Sequence, residues 1–285
     1  MDTDALTTFA AHQRSQGLAP TTVRNRASIL TTLQKATGIR LLDMDINHLR
    51  NHLGREGISA GTRRTERGAY VAFYTFAHEE QLRADNPTQR LAVVTAPKGE
   101  PRPFTREQID AMLNSGAYRR TRAMILVGYY QGFRVSQIAR VHSSDIDLLS
   151  GTIRTIGKGS KHGVLPLHPV IRELAATMPT DGFWFPARAG RPGHISGASV
   201  TNLITLAKMR AGICNPRLTP HSLRHAFGSD LVEEGVDIRV IQELMMHASL
   251  ATTQIYTGVS ERLKREGIVQ LVPRKLATQS GRRAA

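Results

Sequence analysis

Three prolines fall within the stretch Ala96-Pro97-Lys98-Gly99-Glu100-Pro101-Arg102-Pro103, and no other feature restricts the fold of this chain as firmly. Each removes a backbone donor and fixes φ, so no helix runs through the segment. The spacing predicts a linker over 96–103, with one domain over 1–95 and a second over 104–272. At 285 residues the chain is long enough for each to bury its own core.

Before the linker, apolar residues recur three and four positions apart, the signature of amphipathic helices. Pro20 suits a first helical turn and places Val23, Ala27, Leu30 and Leu33 on one stripe. A second helix is expected near Ile46, Leu49 and Leu53. A third enters after Ser59 and turns Tyr70, Phe73, Tyr74 and Ala77 inward, as core rather than as base-stacking platforms. Arg63, Arg64 and Arg67 stay on its polar side, as a solvated face or as DNA phosphate contacts.

After the linker, Thr105 and Gln108 form a capping-box signature ahead of Ile109, Met112 and Leu113. Helices are expected at 117–131, 135–142, 168–177, 199–211, 220–234 and 237–246, with Thr219 as cap and Pro220 as first residue of the fifth. Thr152 to Ile156 and Val164 to Leu167 read as strands of a hairpin, with a glycine-rich tip carrying Lys158 and Lys161. The fold class is therefore mainly α with a small β-sheet: an N-terminal helical domain, then an α+β domain. Residues 273–285 are basic and aperiodic, a flexible tail.

Lysine and arginine number 38 against 23 acidic residues, a net charge of +15 that favours a polyanionic partner through phosphate neutralisation. Nucleic acid is the foremost candidate. Cys214 is the only cysteine, which excludes an intrachain disulfide and a multi-cysteine zinc site and suits a reducing compartment. The start lacks a signal-peptide pattern and no apolar run spans a bilayer, so the expectation is a cytoplasmic protein with no membrane partner.

Breaking a DNA strand without a metal requires a nucleophile, cations for charge developing on the phosphate oxygens, and an acid for the departing sugar oxygen. Arg134 follows Gly132-Phe133 at a helix start, and Arg224 lies one turn beyond His221. Two guanidiniums hold non-bridging oxygens in fork geometry. Lys158 is a titratable cation suited to protonating a leaving oxygen. Tyr256 is a phenol, a poor nucleophile at its ordinary pKa of ~10 until a base or cations favour the phenolate. His221 is the candidate base and His247 a further phosphate ligand. Any one of these residues alone is ordinary; the ordered set is not.

The stretches Tyr130-Gln131-Gly132-Phe133-Arg134-Val135-Ser136, Gly157-Lys158-Gly159-Ser160-Lys161, Thr219-Pro220-His221-Ser222-Leu223-Arg224-His225 and the run from His247 to Tyr256 resemble the tyrosine site-specific recombinases of the phage integrase and Xer family. The likeness covers most of 104–260, while 1–95 resembles the family's core-binding domain in length, helicity and charge. It implies that Tyr256 forms a 3′-phosphotyrosyl bond, that Arg134, Arg224 and His247 stabilise the transition state, that Lys158 protonates the 5′-oxygen and that His221 assists Tyr256. It implies no metal and no nucleotide cofactor. Double-stranded attachment sites are the implied partners, with a homotetramer on synapsed DNA, a monomer when free, and a possible accessory directionality factor.

Two positions depart from the family pattern: Gln137 where glutamate is common, and Met246 where glycine usually precedes the histidine. They favour a divergent mobile-element integrase over a housekeeping Xer protein. The N-terminal stretch leaves no room for the arm-binding domain of larger phage integrases, and Ala284-Ala285 resembles a protease-recognised degradation tag. Ser260 to Leu271 is expected either to dock on a neighbouring subunit or to pack on its own domain. The alternatives are an Xer-type resolvase, a type IB topoisomerase, and a non-enzymatic DNA-binding regulator with 220–246 as a helix-turn-helix-like pair.

Overall fold

The computed structural model describes residues 3–95, 102–157, 162–188, 191–246, 265 and 267–271. The chain divides into two compact units, Met1–Gly99 and Glu100–Ala285, each with its own apolar core.

In the first unit four helices run over Thr3–Ser15 (α1), Pro20–Thr37 (α2), Ile46–Gly54 (α3) and Ala60–Glu79 (α4). Pro20 opens α2, and Gly38 closes it in the left-handed conformation at φ 69°. Ser59 caps α4, its hydroxyl accepting from the Thr62 amide at 3.1 Å. The expected stripe is buried at Val23, Leu30 and Leu33 and half-buried at Ala27. Tyr70, Phe73, Tyr74 and Ala77 are all buried, so these rings are core. Their polar ends find partners, as buried hydroxyls must: Tyr74 donates to the Leu41 carbonyl at 2.7 Å, and the Tyr70 hydroxyl pairs with His52 Nδ1 at 2.8 Å. A bidentate ion pair from Arg55 to Glu66, at 2.8 and 2.5 Å, joins the end of α3 to α4.

The second unit contains α5 (Arg106–Leu113), α6 (Arg119–Tyr130), α7 (Val135–Arg140), strands β1 (Ile146–Asp147), β2 (Thr152–Ile156) and β3 (His162–Pro166), then α8 (Pro169–Ala175), α9 (Gly197–Arg210), α10 (His221–Glu233) and α11 (Ile238–Leu244). Helix α6 is central, touching α5, α7, α8, α9 and α10, which accounts for the unbroken apolar run Met124 to Val127. The capping box at Thr105 is present, with Gln108 N donating to Thr105 Oγ1 at 3.3 Å and Thr105 N to Gln108 Oε1 at 3.1 Å. Arg106, in the first turn of α5, reaches Asp230 at 3.2 Å and Glu234 at 2.9 Å near the end of α10. Tyr129 of α6 donates to the same Asp230 carboxylate.

The sheet is antiparallel in the order β1-β2-β3. Its register sets Ile153 against Leu165 and Thr155 against Gly163. Ile153 and Leu165 are buried while Val164 is exposed, so the rung Thr155–Gly163, two residues along, shares the core-facing side. The structure differs from expectation in three places. β3 begins at His162 rather than at 164, and the two-residue β1 lies below the length that sequence alternation resolves. Helix α10 begins at His221 with Pro220 in the capping position, and Thr219 supplies no side-chain cap; instead the Thr219 amide donates to Ser222 Oγ at 3.2 Å.

Ile268 and Leu271 are buried in the core of their own unit, so among the described residues this segment packs in cis. His168 fastens it. The buried imidazole accepts from the Val170 amide at Nδ1 (3.1 Å), which leaves Nε2 to donate to the Leu271 carbonyl at 2.8 Å. Leu263, the tail 273–285 and linker residues 96–101 lie outside the described residues. None of the described helices is long and apolar enough to cross a membrane.

Burial holds His168 below its ordinary 6.5, down to about 4, against a smaller upward pull from the Leu271 carbonyl. A depressed folded-state pKa means that the unfolded chain takes up the proton first as pH falls. The stabilisation is therefore complete above pH 6.5 and is lost as pH drops toward 4. It amounts to about 3 kcal/mol. Urea melts from pH 7 to pH 4 are expected to show this loss in the second unit, and a His168→Asn protein to lack most of it; identical pH profiles would contradict the assignment.

Candidate active site

The site is built around a turn that only glycine can make. Gly132 has φ 63°, and a Cβ there would lie 2.5 Å from Cδ1 of the buried Phe227 ring. Because the chain turns this tightly after α6, Arg134 arrives at the N-terminus of α7 with its side chain directed inward. Gln137 Oε1 accepts from the Arg134 amide at 3.0 Å, which fixes the arginine's backbone. Its guanidinium is half-buried, and Nη1 is shielded from water with no hydrogen-bond partner among the described residues. Burial pulls the Arg134 pKa below its usual value.

Arg224, on the face of α10 that packs toward α6, is 2 % exposed. Nη1 donates to the Gly132 carbonyl at 2.5 Å and Nη2 donates to the Met245 carbonyl. One guanidinium thus ties the turn before α7 to the end of α11. Burial first, and the Arg134 charge second, push its pKa down to about 9. The bond to Gly132, two residues before Arg134, brings the two cations near one another, and among the described residues neither forms an ion pair with a carboxylate. Two neighbouring guanidiniums with donors left over define an anion site suited to an oxyanion that carries extra charge.

His221 is exposed at the start of α10, one turn before Arg224, and its ring stands edge-on to His225 at 4.7 Å. Burial and then the Arg224 charge lower the His225 pKa, which favours a neutral imidazole there. His225 carried no role in the sequence reading; its four-residue spacing from His221 was the available signal. Lys208 was also unforeseen. Its buried ammonium donates to the carbonyls of Asn215 and Leu218 at 2.9 and 3.0 Å, shaping the loop that delivers His221.

The hairpin flanks this pair of arginines. Gln137 Nε2 donates to Thr155 Oγ1 of β2 at 3.1 Å, so the amide bridges Arg134 and the sheet. On β3, a Cβ built at Gly163 would lie 2.5 Å from Met246 Cε and 3.1 Å from Met246 Sδ. Met246 has φ 46°, a left-handed conformation that costs a side-chain-bearing residue about 1–2 kcal/mol. That geometry accounts for the glycine usual at this place in the family pattern. Lys158, Lys161, His247 and Tyr256 lie outside the described residues.

In the first unit the three arginines of α4 divide. Arg63 donates to the carbonyls of Leu53 and Arg55, and Arg67 to those of Leu91 and Ala92, so both brace the domain. Arg64 is exposed beside Thr21, Thr22, Asn25 and Arg26 in a groove between α2 and α4.

The model of the phage integrase family matches residues 103–262, more than half of the chain. The chain belongs to that family. The tyrosine recombinase XerD of Halalkalibacterium halodurans is 32% identical over 245 residues, 80% of this chain and 81% of that protein. The integrase from mycobacterium phage Brujita is 34% identical, with 96% of this chain and 94% of that chain covered and a TM-score of 0.56. A lambda integrase (75–356) dimer bound to a COC' core site gives a TM-score of 0.68 over 90% of this chain and 98% of that one, at 16% identity, a likeness of fold alone. As a tyrosine recombinase the chain is an enzyme of site-specific DNA recombination. Its family match spans the arginine pair and the hairpin that the second unit brings together.

Gly132→Ala is expected to lower stability by about 2–4 kcal/mol, since the methyl group meets both a left-handed backbone and a ring packed on all sides. It is also expected to move Arg134 off its anion site. Denaturant melts and DNA cleavage by the residual folded fraction check this, and an unaltered enzyme would refute the strained turn.

Proposed function

We propose that this recombinase cuts DNA through Tyr256 and serves the integration of a phage or other mobile element. The phenolic oxygen bonds to phosphorus as the bond to the 5′-oxygen breaks, leaving a 3′-phosphotyrosyl ester and a free 5′-hydroxyl. His221 takes the phenolic proton and Lys158 supplies one to the departing oxygen. Arg134, Arg224 and His247 hold the non-bridging oxygens while charge builds on them. The ester preserves the bond energy, so a 5′-hydroxyl of another strand reverses the attack without a cofactor. One observation carries this reading: two adjacent, partly dehydrated guanidiniums in the second unit whose spare donors find no carboxylate among the described residues.

Duplex attachment sites are the substrate, engaged by a homotetramer that forms on two synapsed sites from free monomers. Support comes from relatives in fold, among them a lambda integrase tetramer bound to a Holliday junction and XerH bound to difH substrate. Such a protein works in the bacterial cytoplasm on nucleoid DNA, with an accessory directionality factor as a further partner. Integration is favoured by the likeness to a phage integrase along nearly the whole chain and by the departures at Gln137 and Met246. Xer-type resolution is the second reading, favoured by the XerD relatives.

Incubation with nicked suicide DNA carrying candidate sites is expected to trap a covalent adduct on Tyr256. Tyr256→Phe should bind the same DNA and form none. An adduct on another residue, or adduct formation by Tyr256→Phe, would overturn the chemistry. Recombination between a site on a circular element and a chromosomal site supports integration, whereas resolution of a dimeric replicon alone supports the Xer reading.

Arg64 is the foremost phosphate contact of the first unit, with Arg63 and Arg67 as further ones there and Lys161 as one from the second unit. Arg64→Ala is therefore expected to weaken DNA binding and to reduce the slope of log affinity against log salt by about 1. An unchanged slope in titrations from low to physiological salt would remove Arg64 from the interface.

A further inference from the structure

The two positions that depart from the family pattern meet the same rung of the sheet. Gln137 reaches Thr155 Oγ1 at 3.1 Å from the Arg134 side, and Met246 lies against the bare backbone of Gly163 from the α11 side. Thr155 and Gly163 are cross-strand partners in the β2–β3 ladder. Both contacts fall on the core-facing side of the hairpin, so they press on one point, one from α7 and the other from just beyond the end of α11. Each jaw is itself attached to an arginine. Gln137 holds the Arg134 amide at 3.0 Å, and the Met245 carbonyl, one residue before Met246, accepts from Arg224.

We propose that Met246 is a positioning residue for strand cleavage: with Gln137 it clamps the Thr155–Gly163 rung and so sets the hairpin relative to the two arginines. The left-handed backbone at Met246 supports this role. Glycine would adopt φ 46° without strain, so methionine there is disfavoured unless its side chain contributes a contact. The space it fills is the one that a side chain on β3 would otherwise take, which pairs the methionine with the glycine opposite. The thioether is unbranched and adaptable, able to follow the pleated strand where a β-branched side chain would collide. Lys158 belongs in sequence to the connection between β2 and β3, so the position of the rung governs how a group on that connection meets a phosphate held by the arginines. The inference rests on the Tyr256 chemistry proposed above.

The test is a double-mutant cycle on full-length protein, read as the single-turnover rate constant of adduct formation on suicide DNA, with DNA affinity and thermal melting measured in parallel. Met246→Gly removes the side chain and relieves the backbone. It is expected to slow adduct formation by about tenfold, with DNA affinity changed less than about twofold, because the contact acts on chemistry rather than on binding. Met246→Leu should recover most of the rate. Gly163→Ala pushes a methyl group into the thioether and is expected to slow cleavage similarly. The combined Gly163→Ala, Met246→Gly protein should cleave faster than the product of the two single losses predicts. The rate constant is taken from the time course and not from its amplitude, so loss of folded protein alone does not mimic the effect. A wild-type rate for Met246→Gly, or strictly multiplicative losses in the cycle, would overturn the clamp. Wild-type protein forming no adduct in the same experiment would count instead against the Tyr256 chemistry.

Discussion

The buried guanidinium of Arg224 is the contact on which the second unit's geometry depends. It takes the Gly132 carbonyl from the turn before α7 and the Met245 carbonyl from the end of α11. Those two pieces of chain are distant in sequence and share no regular hydrogen bonding. The planar guanidinium makes the two bonds from separate nitrogens and has further N–H donors beyond them. Burying such a cation opposes folding unless its hydrogen bonds are satisfied, and here carbonyl dipoles rather than carboxylates satisfy them. A carboxylate would neutralise the charge. Carbonyls leave it intact for an anion.

Much of this was legible in residue order. The capping box at Thr105, the helix opened by Pro20 and the aromatic face of α4 each rest on local rules that tertiary packing did not override. The fold class follows from those elements. Tertiary consequences were not legible. Nothing in the alternation of residues reveals a two-residue β1, because two residues have no period. Thr219 offered an ordinary cap, but the Thr219-Pro220 corner gives that amide to Ser222 instead. Equally, the polar face of α4 presented three arginines alike. Only their reach to the carbonyls at 53, 55, 91 and 92 separates the two that brace the domain from Arg64.

The departures at Gln137 and Met246 show why a mismatch with a pattern is more informative once its surroundings are known. As letters they counted against one family branch. In space they are a hydrogen bond and a van der Waals contact on one cross-strand pair. An amide serves at position 137 because it accepts at one end and donates at the other, so it bridges an amide and a hydroxyl without adding a negative charge beside the arginine pair. A glutamate would accept from the Arg134 amide and from the Thr155 hydroxyl alike, and would bring a negative charge with it.

The Arg106 ion pairs give the second unit a particular response to mechanical load. Arg106 stands in the first turn of its unit's first helix and is bound to Asp230 and Glu234, on and just after the helix that carries Arg224. Tension drawn along the chain from residues before 102 would therefore be transmitted into α10 through two charged links before it stretches the hairpin. A tug at the entrance of this unit is felt by the helix that carries Arg224 sooner than by the sheet beside it.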